Sequence, residues 1–213
     1  MSGKREEILD AAEAIADERG LEGLSMRAVA QAVGLTPMAL YPHVKDKGGL
    51  LDALVGRMLG RLYEAAPGAA SQESEWRERL RLFARTARTL SLGHPWAAGL
   101  LFSRPAVAPD AVRTVDLLYT VLLDAGISPA EVPRLERLVS TFVLGWIASE
   151  AGGRFGPGSL DPRGRRGQLP TGTLPGHGAL AGHLDQPVDW EAEFEADLTD
   201  LVAMVEAAVA RKP

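Results

Sequence analysis

The stretch that most constrains this chain covers residues 25–47, SMRAVAQAVGLTPMALYPHVKDK. It reads as two short helices joined by a tight turn. Ser25 is placed to N-cap the first, its hydroxyl accepting from an unpaired amide of the first turn. Ala28, Val29, Ala32 and Val33 recur at helical spacing and form one small apolar face. Gly34 stands where a helix ends in the left-handed conformation, and Leu35 can tuck into the angle between the helices. Thr36 as cap and Pro37 as first residue open a second helix over 36–44. Leu40 and Val44 face inward, four residues apart, leaving Met38, Ala39, Tyr41 and His43 outside.

That pattern is a helix-turn-helix, a unit whose second helix commonly enters the DNA major groove. Met38 and Ala39 suit apolar contact with a thymine methyl, and Tyr41 and His43 can hydrogen-bond phosphates or base edges. Lys45 and Lys47 follow, and Asp46 is placed to cap the next helix, whose free amides can also meet a phosphate. A surface hairpin of an all-α protein without any DNA role satisfies the same spacing.

Ile8, Leu9, Ala11 and Ala12, then Gly20, Gly23 and Leu24, then Arg27, Ala30 and Val33-Gly34, then Leu40-Tyr41, His43-Val44, Lys47, Leu50 and Leu51 together resemble the TetR family of bacterial transcription repressors, over about residues 4–60. Arg104-Pro105 after a helical run, with Phe142, Leu144 and Gly145 in a later helix, are similar to the C-terminal part of the Tet repressor branch. The resemblance implies an all-α chain: a DNA-binding domain over 1–47, a connecting helix over 48–66 that moves when ligand binds, and a ligand-binding and dimerisation domain over 67–213. It implies DNA contacts from Thr36, Pro37, Met38, Ala39, Tyr41, His43 and Lys47, helped by Met26 and Arg27 of the preceding helix. Dimer symmetry would call for a palindromic operator, with half-sites about one turn or more apart. Pro42 stands where many members carry an aromatic residue, which puts base specificity in question but not the docking mode.

Composition sets outer limits. With 213 residues, 24% charged and 46% hydrophobic, the chain suits one or two domains. It has no cysteine, hence neither disulfides nor thiolate metal sites, and no stretch approaches the ~20 apolar residues of a membrane helix. MSGKREE is charged and leads into an amphipathic pattern unlike a signal peptide, so a cytoplasmic location with no membrane partner is expected. The net charge of −5 argues mildly against nucleic acid, but Arg27, Lys45 and Lys47 against Asp46 make the helix-turn-helix locally positive. The acids of the first helix, Glu6, Glu7, Asp10, Glu13, Asp17 and Glu18, must then face away from the duplex.

The spacing predicts a first helix over 4–19, with Ile8, Leu9, Ala12, Ile15 and Ala16 as its stripe and Gly20 as its end. A helix over 46–65 carries Leu50, Leu51, Leu54, Val55, Met58, Leu59 and Leu62, with Gly48-Gly49 either a hinge or a frayed start. A polar linker over 67–75 leads to a helix over 75–92, where Arg77, Arg79, Arg81, Arg85 and Arg88 cover the outer side. Such a run invites a second nucleic-acid site, although a solvated face paired with neighbouring acids is the commoner outcome. His94-Pro95 breaks the chain before a short helix over 96–102; His94 is expected to cap or hydrogen-bond rather than bind metal. Helices follow over 110–125, with Ala111, Val112, Val115, Leu118, Tyr119 and Leu122 on one face, and over 128–150. Residues 151–187 are dense in Gly and Pro and are expected to be disordered or a lid. The last helix, over 188–211, carries Phe194, Leu198, Leu201 and Val205 at coiled-coil-like steps. Paired with Leu135, Val139 and Phe142, this seam is expected to form a four-helix dimer interface.

An enzyme is disfavoured: there is no cysteine, HExxH, P-loop or glycine fingerprint, and His43, His94, His177 and His183 are scattered. An all-α small-molecule-binding protein or enzyme without a DNA role is the alternative. No cofactor or metal is expected. Phe83, Thr86, Trp96, Phe102, Tyr119, Phe142, Trp146 and Ser149 are expected to line a cavity for a mostly apolar, aromatic or polycyclic molecule, bound near Trp96 and Trp146. The Tet branch holds a tetracycline–metal complex through a histidine and a carboxylate; here Leu100 and Ser149 stand at those positions, with Glu150 displaced by one, so that ligand is not expected.

Overall fold

A computed structural model describes residues 3–71, 74–155, 174–184 and 186–211, and every regular element among them is helical. Helix α1, Lys4–Gly23, buries Ile8, Leu9, Ala12, Ile15 and Ala16 and is interrupted at Gly20. Helix α2, Met26–Ala32, begins as its sequence dictates, with the Ser25 hydroxyl accepting from the Ala28 amide at 3.1 Å. Gly34 takes φ 68°, so the Leu35 amide reaches the Ala30 carbonyl (2.8 Å) and the Gly34 amide that of Gln31 (3.3 Å). Those two bonds form a Schellman motif, which satisfies carbonyls the helix end would otherwise leave bare. The buried residues are Val29 and Ala30, and Ala32 is exposed, so the inward face is turned from the expected one.

The expected helix over 36–44 divides in two: a 3-10 turn, Pro37–Leu40, and a single α turn, α3, Tyr41–Val44. Pro42 is the cause. It has no amide to donate to the Met38 carbonyl, and its ring would crowd that carbonyl in a continuous α-helix. Thr36 makes no side-chain cap; its carbonyl instead accepts from the Ala39 amide at 3.0 Å, the i+3 bond of the tighter winding. Lys45, at φ 60°, turns the chain into Asp46, whose carboxylate caps helix α4, Lys47–Ala65, through the Gly49 amide at 2.8 Å. A Cβ on Gly49 would lie 2.4 Å from the Val44 carbonyl oxygen, so glycine there lets α4 begin hard against α3.

A short helix α5, Pro67–Ala70, occupies the expected linker, its Ala69 fully buried. Helix α6 is Trp76–Gly93, α7 Pro95–Ser103 and α8 Pro109–Asp124. Helix α9, Val132–Ala151, starts later than expected, because the Glu131 and Val132 amides both bond the Ser128 carbonyl and make residues 128–131 a turn. Residues 156–173 and 185 of the expected disordered stretch or lid lie outside the described residues. Residues 175–184 of that stretch form helix α10, Pro175–Leu184. Its residues 175–183 are all exposed, so a search for amphipathic stripes could not find it. Helix α11, Trp190–Ala210, is capped by Asp189, which accepts from the Glu191 and Ala192 amides.

Two apolar cores result. The head core gathers Ile8, Leu9, Leu24, Val29, Leu40, Val44, Leu50 and Leu54, and recruits Trp96, Ala97 and Leu100 from α7. The body core holds Leu80, Phe83, Leu118, Leu122, Leu135, Val139, Phe194, Leu198, Leu201 and Val205. Helix α4 runs through both, with Leu59 packed against each.

The residues expected at a subunit seam need correction. Phe194, Leu198, Leu201 and Val205, like Leu135 and Val139, are buried within the single chain. Phe142 is half-buried against the same core. Periodicity shows that a face is buried but not by what; α11 spends its apolar stripe on its own body. The arginines of α6 explain part of that packing. Arg77 bonds Glu206, Arg85 bonds Glu195, and Arg88 bonds Glu191 as well as Glu150 of α9. Arg79 is not on a solvated face: it is buried, donating to the Ala69 carbonyl at 2.8 Å and to Asp124 at 2.5 Å. With Arg81 on Glu78, every arginine of the run has an acidic partner, which leaves no free cationic stripe for nucleic acid.

Candidate nucleic-acid interface and ligand cavity

The head presents the side chains that its register demanded. Met38 is 75% exposed and Tyr41 44%, and Thr36, Pro37, Arg27, Lys45 and Lys47 are exposed around them. His43 and Ala39 are half-buried, and Met26 leans on the head core rather than standing free. The acids of α1 are turned away from this surface into an ion-pair network. Arg57 of α4 bonds Glu6 (2.8 Å), Asp10 (2.6 Å) and Glu13 (3.2 Å), and Arg61 bonds Glu13 as well. Burial alone would lower the Arg57 pKa, but bonds from Asp10 and Glu6 outweigh it and hold the guanidinium above its ordinary value. Asp17 accepts from Trp96 Nε1 at 2.5 Å and lies 2.8 Å from His94 Nδ1, tying α1 to the start of α7. Glu13, Asp17 and His94 therefore converge, but the Glu13 carboxylate is already taken up by two arginines.

The body holds a partly open cavity of about 180 Å³ between α4, α6, α7, α8 and α9. Met58, Leu59 and Leu62 supply the α4 wall, Phe83 and Leu90 that of α6, and Leu118 that of α8. Val143, Leu144 and Ile147 close it from α9. Hydroxyls of Ser91, Thr114 and Ser140 and the charges of Arg104 and Glu136 interrupt the apolar lining. Met58 belongs to the head core and Leu101 packs on it, so one side of the cavity is also the back of the head. Arg104 strengthens that join. Its guanidinium bonds Asp52 of α4 through Nε (2.8 Å) and Nη2 (2.7 Å), and Nη2 also donates to the Gly48 carbonyl at 3.1 Å.

Of the eight residues expected to line a ligand site, Phe83 alone lines this cavity. Trp96 is part of the head core, and Trp146 lies between the tilted rings of Phe155 and Phe194, with ring centres 4.7 and 5.3 Å away. Thr86 bonds its own helix at the Leu82 carbonyl, and Tyr119 and Phe142 fill the edge of the body core. Phe102 and Ser149 lie on a separate open groove, where Phe102 is 56% exposed. A cavity exists where neighbouring helices fail to fill the space between them, and no single helix's period reports that. Two signals were nonetheless present. Thr114 sits at core spacing between Ala111 and Leu118, and Glu136 adjoins the apolar Leu135. Thr114 is buried, its hydroxyl donating to the Leu59 carbonyl at 2.7 Å.

A helix-turn-helix head joined by one long helix to a helical body with an apolar cavity defines a class of ligand-sensing DNA-binding proteins. The comparisons agree. Residues 8–54 match the model for bacterial regulatory proteins of the tetR family, and residues 68–206 match the tetracyclin repressor-like C-terminal domain. An HTH-type transcriptional regulator of Saccharopolyspora erythraea is 30% identical, over 93% of this chain and 83% of that protein. A Streptomyces coelicolor A3(2) structure described as a possible TetR family transcriptional regulator has 30% identity and a TM-score of 0.79, covering 96% of this chain and 99% of its own. ActR of Streptomyces coelicolor, solved in complex with actinorhodin, shares the fold with a TM-score of 0.79 at 23% identity, over 98% of this chain and 99% of its own. The chain belongs to the TetR family. It is a ligand-responsive, DNA-binding transcriptional repressor of that type.

Proposed function

We propose that the protein binds a palindromic operator as a homodimer and is released when a mostly apolar small molecule enters the body cavity. The observation that carries this reading is the cavity's position: Met58 lies in its wall and in the head core at once, and Arg104 on its rim bonds the first turns of the helix that bears the head. A ligand that favours one arrangement of these groups shifts the balance between two spacings of the reading heads. Thr36, Pro37, Met38, Tyr41 and Lys47 contact DNA, with Arg27 assisting and His43 and Ala39 at the margin. The head is taken as residues 1–47, the connector as 48–66 and the body as 67–213.

The dimer contact falls on the faces that α9 and α11 leave open. Leu138 (44% exposed), Thr141 and Gly145 share one side of α9, and Ala196, Ala203 and Ala207 one side of α11. Metal-chelated tetracycline is not the inducer: Leu100 is buried in the head core, and Glu150 accepts two bonds of 2.8 Å from Arg88. The protein acts in the cytoplasm and without catalysis; among the described residues no helix is long and apolar enough to cross a membrane.

Tyr41→Ala with Lys47→Ala tests the interface. Both side chains are exposed, so thermal unfolding should be unchanged while affinity for a fragment of the protein's own promoter falls at least 100-fold in a gel shift at moderate salt. Unchanged affinity would refute the reading.

A further inference from the structure

We propose that the inducer is an organic cation, an aromatic or polycyclic molecule bearing a protonated amine, and that Glu136 is the residue that selects it. The proposal rests on the cavity being the effector site. Two charged side chains reach this cavity, and they differ in what already holds them. Arg104 has a counter-ion: Asp52 accepts two of its bonds and the Gly48 carbonyl a third. Glu136 is half-buried and has neither a hydrogen bond nor an ion pair among the described residues. The unbalanced charge of the cavity is therefore negative.

An unpaired carboxylate against an apolar wall loses hydration without recovering it, and a bound cation supplies what is missing. The neighbouring hydroxyls favour the same ligand. Ser140 stands one turn along α9 from Glu136 and turns its hydroxyl toward the Arg137 carbonyl at 3.3 Å, leaving its lone pairs free to accept. Ser91, on the α6 wall, is only 4% exposed and has no hydrogen-bond partner among the described residues. Thr114 has spent its proton on the Leu59 carbonyl and can only accept. The polar groups left open are thus acceptors, apart from the rotatable hydroxyl of Ser91 and Nη1 of Arg104, a guanidinium whose charge Asp52 already balances. An ammonium offers three donors and no acceptor, and the aliphatic and aromatic walls take the rest of the molecule. An anion would find Arg104 already neutralised by Asp52 and would meet Glu136 unneutralised.

Three fluorescent probes of one shape separate the outcomes: 9-anthracenylmethylamine, 9-anthracenemethanol and 9-anthracenecarboxylate. Each is titrated with the full-length protein at neutral pH, without DNA, and followed by its own anisotropy. The amine should bind at least tenfold more tightly than the alcohol, and the carboxylate more weakly than either. Glu136→Gln should abolish the preference for the amine and keep alcohol binding, and Glu136→Asp should retain most of it. Val143→Trp, which fills the cavity, should remove binding of all three; thermal unfolding of each variant checks its fold. Equal binding of amine and alcohol, or a preference that survives Glu136→Gln, overturns the cation proposal while leaving the cavity as the effector site. Failure of all three to bind the wild type overturns both.

Discussion

Head and body are made of the same material, amphipathic helices closed over an apolar core, yet they keep their functional groups in opposite places. The head uses its outside. Once Leu40 and Val44 are committed to the core, Met38 and Tyr41 have nowhere to go but out, and their exposure follows from local register. The body uses its inside, where Glu136, Ser140, Ser91 and Arg104 meet across a space bounded by five helices and a connection. A surface site needs one helix to be read correctly; an interior site needs all of its walls.

Charging the body core should have the largest effect. Leu201→Glu with Val205→Glu places two carboxylates where both side chains are at most 5% exposed within one chain. The cost should exceed the ~5–15 kcal/mol that holds a typical domain together, so circular dichroism should show no cooperative thermal transition. A folded variant that merely runs as a monomer by light scattering would mean that the seam faces a partner subunit after all.

Asp52→Asn loosens the join between head and body. It removes the counter-ion of a partly exposed Arg104 and should cost only about 1 kcal/mol. Hydrogen exchange should quicken at α2, α3 and the start of α4 and stay unchanged in α9 and α11. Equal loss of protection throughout would show that head and body open as one unit.

The smallest effect is expected on the body surface, where Arg85 holds the Glu195 carboxyl below its ordinary range. A lowered folded-state pKa stabilises above the unfolded value and is lost as pH falls through the folded one. Glu195→Gln should therefore destabilise the protein at pH 7 by no more than ~1 kcal/mol for so exposed a pair, read as a slightly lower melting temperature, and have no effect once the pH is below the lowered pKa. A deficit that persisted in acid would point to packing rather than charge.

What the sequence determined by itself is everything that depends on neighbours along the chain. The Ser25 and Asp46 caps, the Gly34 turn, the α1 stripe and the outward register of Met38 and Tyr41 all involve groups within a few residues of one another. Even the failed expectation of a continuous helix over 36–44 had its cause in plain sight, since Pro42 forbids it locally. Tertiary structure alone decided which buried face meets which. The α11 stripe had the steps of a subunit seam but closes the body of its own chain, and Arg79, five residues from an exposed Ser74, is fully internal because Ala69 and Asp124 wait for it there. It also decided the cavity, because apolar periodicity is the same whether the partner helix fills the gap or leaves room for a ligand, and only the distances between α4, α6, α7, α8 and α9 tell the two apart.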